Sequence, residues 1–201
     1  MTDITQSFAQ RTKVSLREAL LDAATALLAS RGHAGFRMAD VAVAAGVSRQ
    51  TVYNEFGNKT ALVQAVALRT TAEFLEGIRR RFESAPDLLA GIHEAVVYTI
   101  EHGRENALVA SALGTRVGED LLPLLTTRGE PVLSAATEMA AAHYREFLPS
   151  LDEPTAHLLA ETVTRLTLSH LVLPTHSANE AADQVCAALT PAISQHSSTV
   201  E

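Results

Sequence analysis

Residues 38–56 read Met-Ala-Asp-Val-Ala-Val-Ala-Ala-Gly-Val-Ser-Arg-Gln-Thr-Val-Tyr-Asn-Glu-Phe. This stretch decides the fold. Asp40 to Ala45 carries Ala, the strongest helix former, at three positions, and Gly46 then breaks the run. Glycine enters the left-handed backbone region at no steric cost, which a sharp helix exit requires. Ser48 follows as a cap for a second helix, its oxygen placed to accept a free backbone N–H two or three residues on. Val41, Ala42, Ala45, Val47 and Val52 supply an apolar set that locks the two short helices together. Arg49, Gln50, Thr51, Tyr53 and Asn54 point the other way, and all five hydrogen-bond.

Two short helices about a glycine turn, with such an outward face, form a helix-turn-helix suited to the major groove of DNA. Arg forks onto guanine, Gln and Asn pair with adenine, and Thr and Tyr hold phosphate or a thymine methyl. A plain helical hairpin with a solvated face has the same pattern, so the rest of the chain must separate the two.

The chain has 201 residues, 47% of them hydrophobic, enough to build a core without disulfides or metal. Its one cysteine, Cys186, forms no internal disulfide. No charged-then-apolar leader and no membrane-length apolar run is present, so the expectation is a cytoplasmic protein. The net charge of −7 is unevenly spread: residues 1–60 hold seven Lys/Arg against five acids, a balance of +2, and the rest carry −9. Only the N-terminal third approaches a polyanion without repulsion.

Residues 1–14 are polar and patternless and read as an N-terminal arm. Ser15-x-x-Glu18 has the form of a capping box and is expected to start the first helix. Leu20, Ala24, Leu27 and Leu28 are the stripe of that helix, Arg31-Gly32 ends it, and Phe36 anchors the loop that follows.

The run from Leu20 to Gly32, then Gly35-Phe36, then Asp40 to Phe56, then Asn58 to Leu62 resembles the N-terminal domain of the TetR family of bacterial regulators. The resemblance covers about residues 16–64. It implies an all-α protein with a helix-turn-helix domain at 15–60 and a helical effector-binding and dimerisation domain at 61–201. It also implies a homodimer that binds a palindromic double-stranded operator and releases it when a small molecule enters the C-terminal domain. Carried over position by position, it makes Arg49, Gln50, Thr51, Tyr53 and Asn54 the DNA-reading face. Ser48 and Thr51 fall where the family makes phosphate contacts, and Lys59 matches its phosphate-binding lysine. A lysine at a helix N-terminus opposes the macrodipole unless a phosphate lies between. Arg37 departs from the family, which places Thr or Ser there as the cap of the second helix. Arg37 cannot accept an N–H bond; contact with DNA and simple solvation are both open to it.

A long helix is expected from about Asn58 to Phe82, with Arg79-Arg80-Arg81 as its solvated end rather than a nucleic-acid patch. Residues 84–201 read as five or six further helices punctuated by Gly103, Gly114, Pro123, Pro149 and Pro174. An apolar effector pocket has candidate walls at Ile78, Phe82, Leu89, Ile92, Val96, Leu108, Leu113, Leu121, Leu125, Met139 and Phe147, with His93, Tyr98, Arg116, His143 and Tyr144 as polar members. Such walls suit a small hydrophobic, acyl-chain-like molecule. The last two helices offer a dimer stripe at Leu158, Leu159, Thr162, Leu166, Ser169, His170, Leu173, Val185, Cys186 and Leu189, and burial within one subunit gives the same pattern.

Other classes fit less well. No nucleophile elbow, phosphate loop, dinucleotide glycine motif or Cys-x-x-Cys is present, so no catalytic residues and no cofactor are expected. The eight histidines lack ligand spacing, so no metal is expected. A regulator whose C-terminal part only dimerises or binds a protein partner, without a small-molecule effector, is the competing reading.

Overall fold

The structure is a computed structural model that describes residues 8–114 and 122–197. Among these, nine α-helices and one short 3₁₀ turn account for the architecture. In order they are α1 (Phe8–Arg31), α2 (Met38–Ala44), α3 (Arg49–Phe56), α4 (Lys59–Ser84), α5 (Leu88–Glu105), α6 (Ala107–Gly114), the turn Leu122–Leu124, α7 (Glu130–Phe147), α8 (Glu153–Val172) and α9 (Ala178–Ser197).

Two hydrophobic cores organise them. The first gathers Leu20, Ala24, Leu28, Phe36, Val41, Val52 and Leu62, joining α1, α2, α3 and the start of α4. Leu108 and Ala112 of α6 also belong to it. The second joins the end of α4 to α5, α7, α8 and α9 around Phe82, Ile92, Val96, Ile100, Tyr144, Leu159, Val163 and Val185. Each large side chain so buried contributes about 1.5–3 kcal/mol. The long helix α4 therefore belongs to both cores, one at each end.

Two expectations need correction. α1 begins at Phe8, so Ser15-x-x-Glu18 lies inside the helix and does not cap it, and residues 8–14 are not an arm. The rest of the expected arm, residues 1–7, lies outside the described residues. Ala9, Gln10, Arg11 and Lys13 are good helix formers with no Gly or Pro among them, so nothing stops the helix from extending back. Likewise α5 runs through Gly103 to Glu105. A Cβ at Gly103 would meet Leu171 Cδ1 at 2.6 Å, so this glycine admits α8 at close range and is not a helix stop.

Arg69 fixes α4 on α1. Its guanidinium donates to Asp22 at 2.7 Å, to Glu18 at 3.3 Å and to the Thr25 hydroxyl at 2.9 Å. On the other side of the head, Arg17 pairs with Glu55 at 2.7 Å and lies over the Phe56 ring, tying α1 to α3.

Candidate nucleic-acid interface and ligand cavity

α2 and α3 meet about Gly46, whose φ is 68°. Ser48 caps α3, accepting from Thr51 N at 3.1 Å, while its hydroxyl pairs with that of Thr51 at 2.8 Å. α2 has no such cap. Arg37 stands at its N-cap without a side-chain bond, and Asp40 compensates by accepting the Arg37 backbone N–H at 2.7 Å. An acid in the first turn also suits the helix dipole. The Arg37 side chain is left exposed.

The outward face of α3 is satisfied by itself. Arg49 donates to the Tyr53 hydroxyl at 3.3 Å and Gln50 donates to Asn54 at 2.7 Å, both i,i+4 pairs. Arg49, Gln50 and Asn54 are exposed, and Thr51 and Tyr53 half-buried. Lys59 is the first residue of α4, capped by Asn58, which accepts from Ala61 N at 2.9 Å. The Lys59 ammonium donates to the Phe36 carbonyl at 2.7 Å and sits over the Phe36 ring. It thus holds the loop before α2, and two of its three N–H groups remain for a phosphate.

The acids of the head are occupied internally: Glu18 and Asp22 with Arg69, Glu55 with Arg17, Asp40 with the backbone of Arg37. Arg37, Arg49 and Lys59 make no ion pair among the described residues. A locally basic face on a protein of net charge −7 follows from that arrangement.

In the second core lies a cavity of about 120 Å³. α4 lines it with Thr70, Thr71, Phe74, Leu75, Ile78 and Phe82, and α5 with Ala95, Val96 and Thr99. α7 contributes Val132, Ala136, Met139, Ala140 and Tyr144. α8 contributes Val163, Thr164, Thr167, Leu168 and Leu171. Val109 of α6 and Leu125 complete the wall. No described wall residue is charged. The hydroxyls of Thr71, Thr99, Thr164 and Thr167 each donate to the carbonyl four residues back. Tyr144 differs: it is fully buried, and its hydroxyl has no hydrogen-bond partner among the described residues. Burial pushes this phenol well above the usual tyrosine range, so it stays a neutral donor.

Of the wall residues expected from sequence, Ile78, Phe82, Val96, Leu125, Met139 and Tyr144 line this cavity, and Tyr98 does not. Leu89, Ile92 and Phe147 pack into the core around it. His93 turns to Asp183 of α9 at 3.4 Å, and His143 pairs with Glu146 at 2.9 Å while stacking on Phe82. Leu108 enters the head core, and Leu113 is half-buried near the end of α6. Arg116 and Leu121 lie outside the described residues. Sequence reasoning misses the lining threonines and the α8 wall, because threonine reads as a surface residue and the α8 pattern does not separate a dimer face from burial within one subunit.

The expected dimer stripe divides in two. Leu159, Val185 and Leu189 are buried within the protomer, Leu166 packs on the same core, and the Cys186 thiol donates to the Leu89 carbonyl at 3.6 Å. Leu158 and Leu173 are 64% and 68% exposed, and with Thr162, Ser169 and His170 they mark the outer side of α8.

Two family models match this chain: "Bacterial regulatory proteins, tetR family" over residues 20–66, and "Bacterial Tetracyclin repressor, C-terminal domain" over residues 87–191. The chain belongs to the TetR family. As a TetR-family protein it is a DNA-binding transcriptional regulator and not an enzyme. The HTH-type transcriptional regulator AlkX of Mycobacterium tuberculosis is 28% identical over 193 residues, covering 94% of this chain and 90% of that protein. The crystal structure of the TetR family repressor AlkX from Dietzia, implicated in biodegradation of n-alkanes, is 29% identical with a TM-score of 0.71, covering 90% of this chain and 96% of that one. The fatty acid degradation regulator FadR from Bacillus halodurans shares the fold, at 18% identity and a TM-score of 0.58 over 87% of this chain and 94% of that one. Among the described residues of this TetR-family chain, no helix is long and apolar enough to cross a membrane.

Proposed function

We propose that the protein is a cytoplasmic repressor that binds a palindromic operator as a homodimer and leaves it when an uncharged aliphatic molecule enters the cavity between α4, α5, α7 and α8. The observation that carries this reading is the cavity: its described walls hold no charge, and one of them is α4, the helix that also carries Lys59 at the head. Its size compares with the ~150 Å³ apolar cavity that holds a benzene-sized guest. The Dietzia relative's part in n-alkane biodegradation agrees with an aliphatic ligand.

In this reading, residues 15–60 form the head and 61–201 the effector and dimer part. Arg49, Gln50, Tyr53 and Asn54 exchange their mutual bonds for base and phosphate contacts, with Ser48, Thr51, Lys59 and Arg37 on the backbone. One recognition helix covers too few base pairs for useful specificity, which favours two copies. The exposed leucines Leu158 and Leu173 support α8 as part of their contact. The test is a footprint on DNA flanking the gene, repeated with straight-chain aliphatic compounds. Two protected half-sites about one helical turn apart, lost on adding ligand, are expected. Protection that no aliphatic compound relieves would favour a regulator without a small-molecule effector.

A further inference from the structure

Glu55 is an acid on the helix read above as the DNA reader, yet its side chain is only 13% exposed. At about 100° per residue it lies roughly 170° around α3 from the mean direction of Arg49, Gln50, Tyr53 and Asn54, on the back of that face. There it meets Arg17 of α1, which donates to its carboxylate at 2.7 Å. The same guanidinium lies 4.7 Å over the centre of the Phe56 ring.

The two contacts restrain α3 in opposite senses. Glu55 and Phe56 are consecutive, so they stand about 100° apart around the helix, and Arg17 grips both. Rolling α3 one way draws the carboxylate off the guanidinium. Rolling it the other way slides the ring from beneath it. The apolar seat of α3, Val52 and Phe56, lacks this directionality, because burial of apolar surface sets how deep a helix lies more than its roll. Roll matters on the far side. At a helix radius of about 5–6 Å, a roll of about 10° carries a side chain by roughly 1 Å. Hydrogen bonds to base edges hold over only a few tenths of an ångström about their optimum.

We propose that Arg17 is a positioning residue for operator reading: by holding Glu55 and Phe56 together it fixes the roll of α3, and with it the register in which the outward face meets the bases. This rests on the reading of α3 as the recognition helix and adds a determinant of specificity that touches no DNA. Arginine suits the task. Its planar guanidinium offers a fork to the carboxylate and a face to the ring, whereas the ammonium of lysine is a point charge. The pairing also accounts for an acid so close to a polyanion. Neutralised by Arg17, Glu55 adds no net charge to the head; unpaired, it would repel the phosphates.

The experiment uses the full chain and a DNA duplex that the wild-type chain selects from a random-sequence pool. Affinity for that duplex and for a panel of its single-base variants is read by anisotropy at several salt concentrations. Each mismatch should cost wild type roughly 5- to 150-fold. Arg17→Ala should lower affinity for the selected duplex roughly tenfold. It should also shrink the mismatch penalties to about two- to threefold at the positions α3 reads, with the salt slope unchanged. Adding Glu55→Ala to Arg17→Ala should recover affinity, since the orphaned acid is gone, and keep the shrunken penalties, since the grip is gone. Arg17→Lys keeps the ion pair, carries the test should Arg17→Ala perturb folding, and should show a milder loss of discrimination. A salt slope lower by about one ion would make Arg17 a phosphate contact and overturn the proposal. So would a loss of affinity with every mismatch penalty intact, or full discrimination in Arg17→Lys. Gln50→Ala in the same panel tells the two readings apart. If it changes no base preference, the recognition-helix reading falls and the role of Arg17 falls with it. If it relaxes one position while Arg17→Ala relaxes none, the recognition helix stands and the role of Arg17 alone falls.

Discussion

Tyr144→Phe should make the ligand-free protein more stable, an unusual result for a change at a fully buried position. Tyr144 is 0% exposed and its hydroxyl lacks a partner among the described residues. Leaving such a donor unsatisfied costs about 1–3 kcal/mol, and phenylalanine removes the oxygen while keeping the ring against Phe82, whose centroid lies 5.9 Å away. The opposing loss is one atom's dispersion contacts, a few tenths of a kcal/mol at roughly 0.1–0.2 per pair. The net gain is about 1–2 kcal/mol, or about 3–6 °C in melting midpoint for a chain of this size. Burial holds the phenol neutral across the neutral pH range, so the gain should not vary with pH there. Urea denaturation followed by circular dichroism, at matched protein concentration, measures it, and the slope with denaturant should be unchanged. A midpoint lower than wild type would refute the reasoning, because it would mean that the hydroxyl makes a bond that stabilises the fold.

Gly46→Ala should destabilise by about 1–2 kcal/mol through left-handed backbone strain alone, since the new Cβ meets nothing within 4 Å. Gly46→Asn should recover part of this in the same denaturation experiment. Arg69→Ala removes the bonds from α4 to Asp22, Glu18 and Thr25 and should cost about 1–3 kcal/mol, with operator affinity falling as the head loses its seat on α4. Gln50→Ala should relax base preference at one operator position by about 1–3 kcal/mol, read from a panel of single-base variants. Lys59→Ala should weaken all sequences alike and lower the salt dependence of binding by about one ion.

The head is legible in the sequence because its signals are local. Gly46, Ser48 and the Val41–Val52 pair each state their role within a few residues, and the structure adds only the partners. The cavity is not legible, because its walls use the alphabet of a core. Val96 lines the void and Ile92 does not, although both are apolar and one turn apart on α5. Thr71, Thr99, Thr164 and Thr167 hide for another reason: with donors spent on their own helix, they behave as small apolar residues. The stripe on α8 fails as a single-purpose signal since that helix has two apolar sides, Val163 and Leu171 inward and Leu158 and Leu173 outward. The start of α1 escapes the capping-box pattern because that pattern takes no account of helix formers lying upstream of it.

The head borrows Leu108 and Ala112 from a helix that lies far beyond Phe56 in the chain. It is therefore not a portable module. Cut after α4, it would expose Leu28 and Val66 to water; grafted onto another regulator's C-terminal part, it would meet a foreign α6. Chimeras that exchange recognition helices among relatives should tolerate swaps of α2 and α3 far better than swaps of the whole N-terminal third, and new operator specificities are best sought by redesigning the surface of α3 in place.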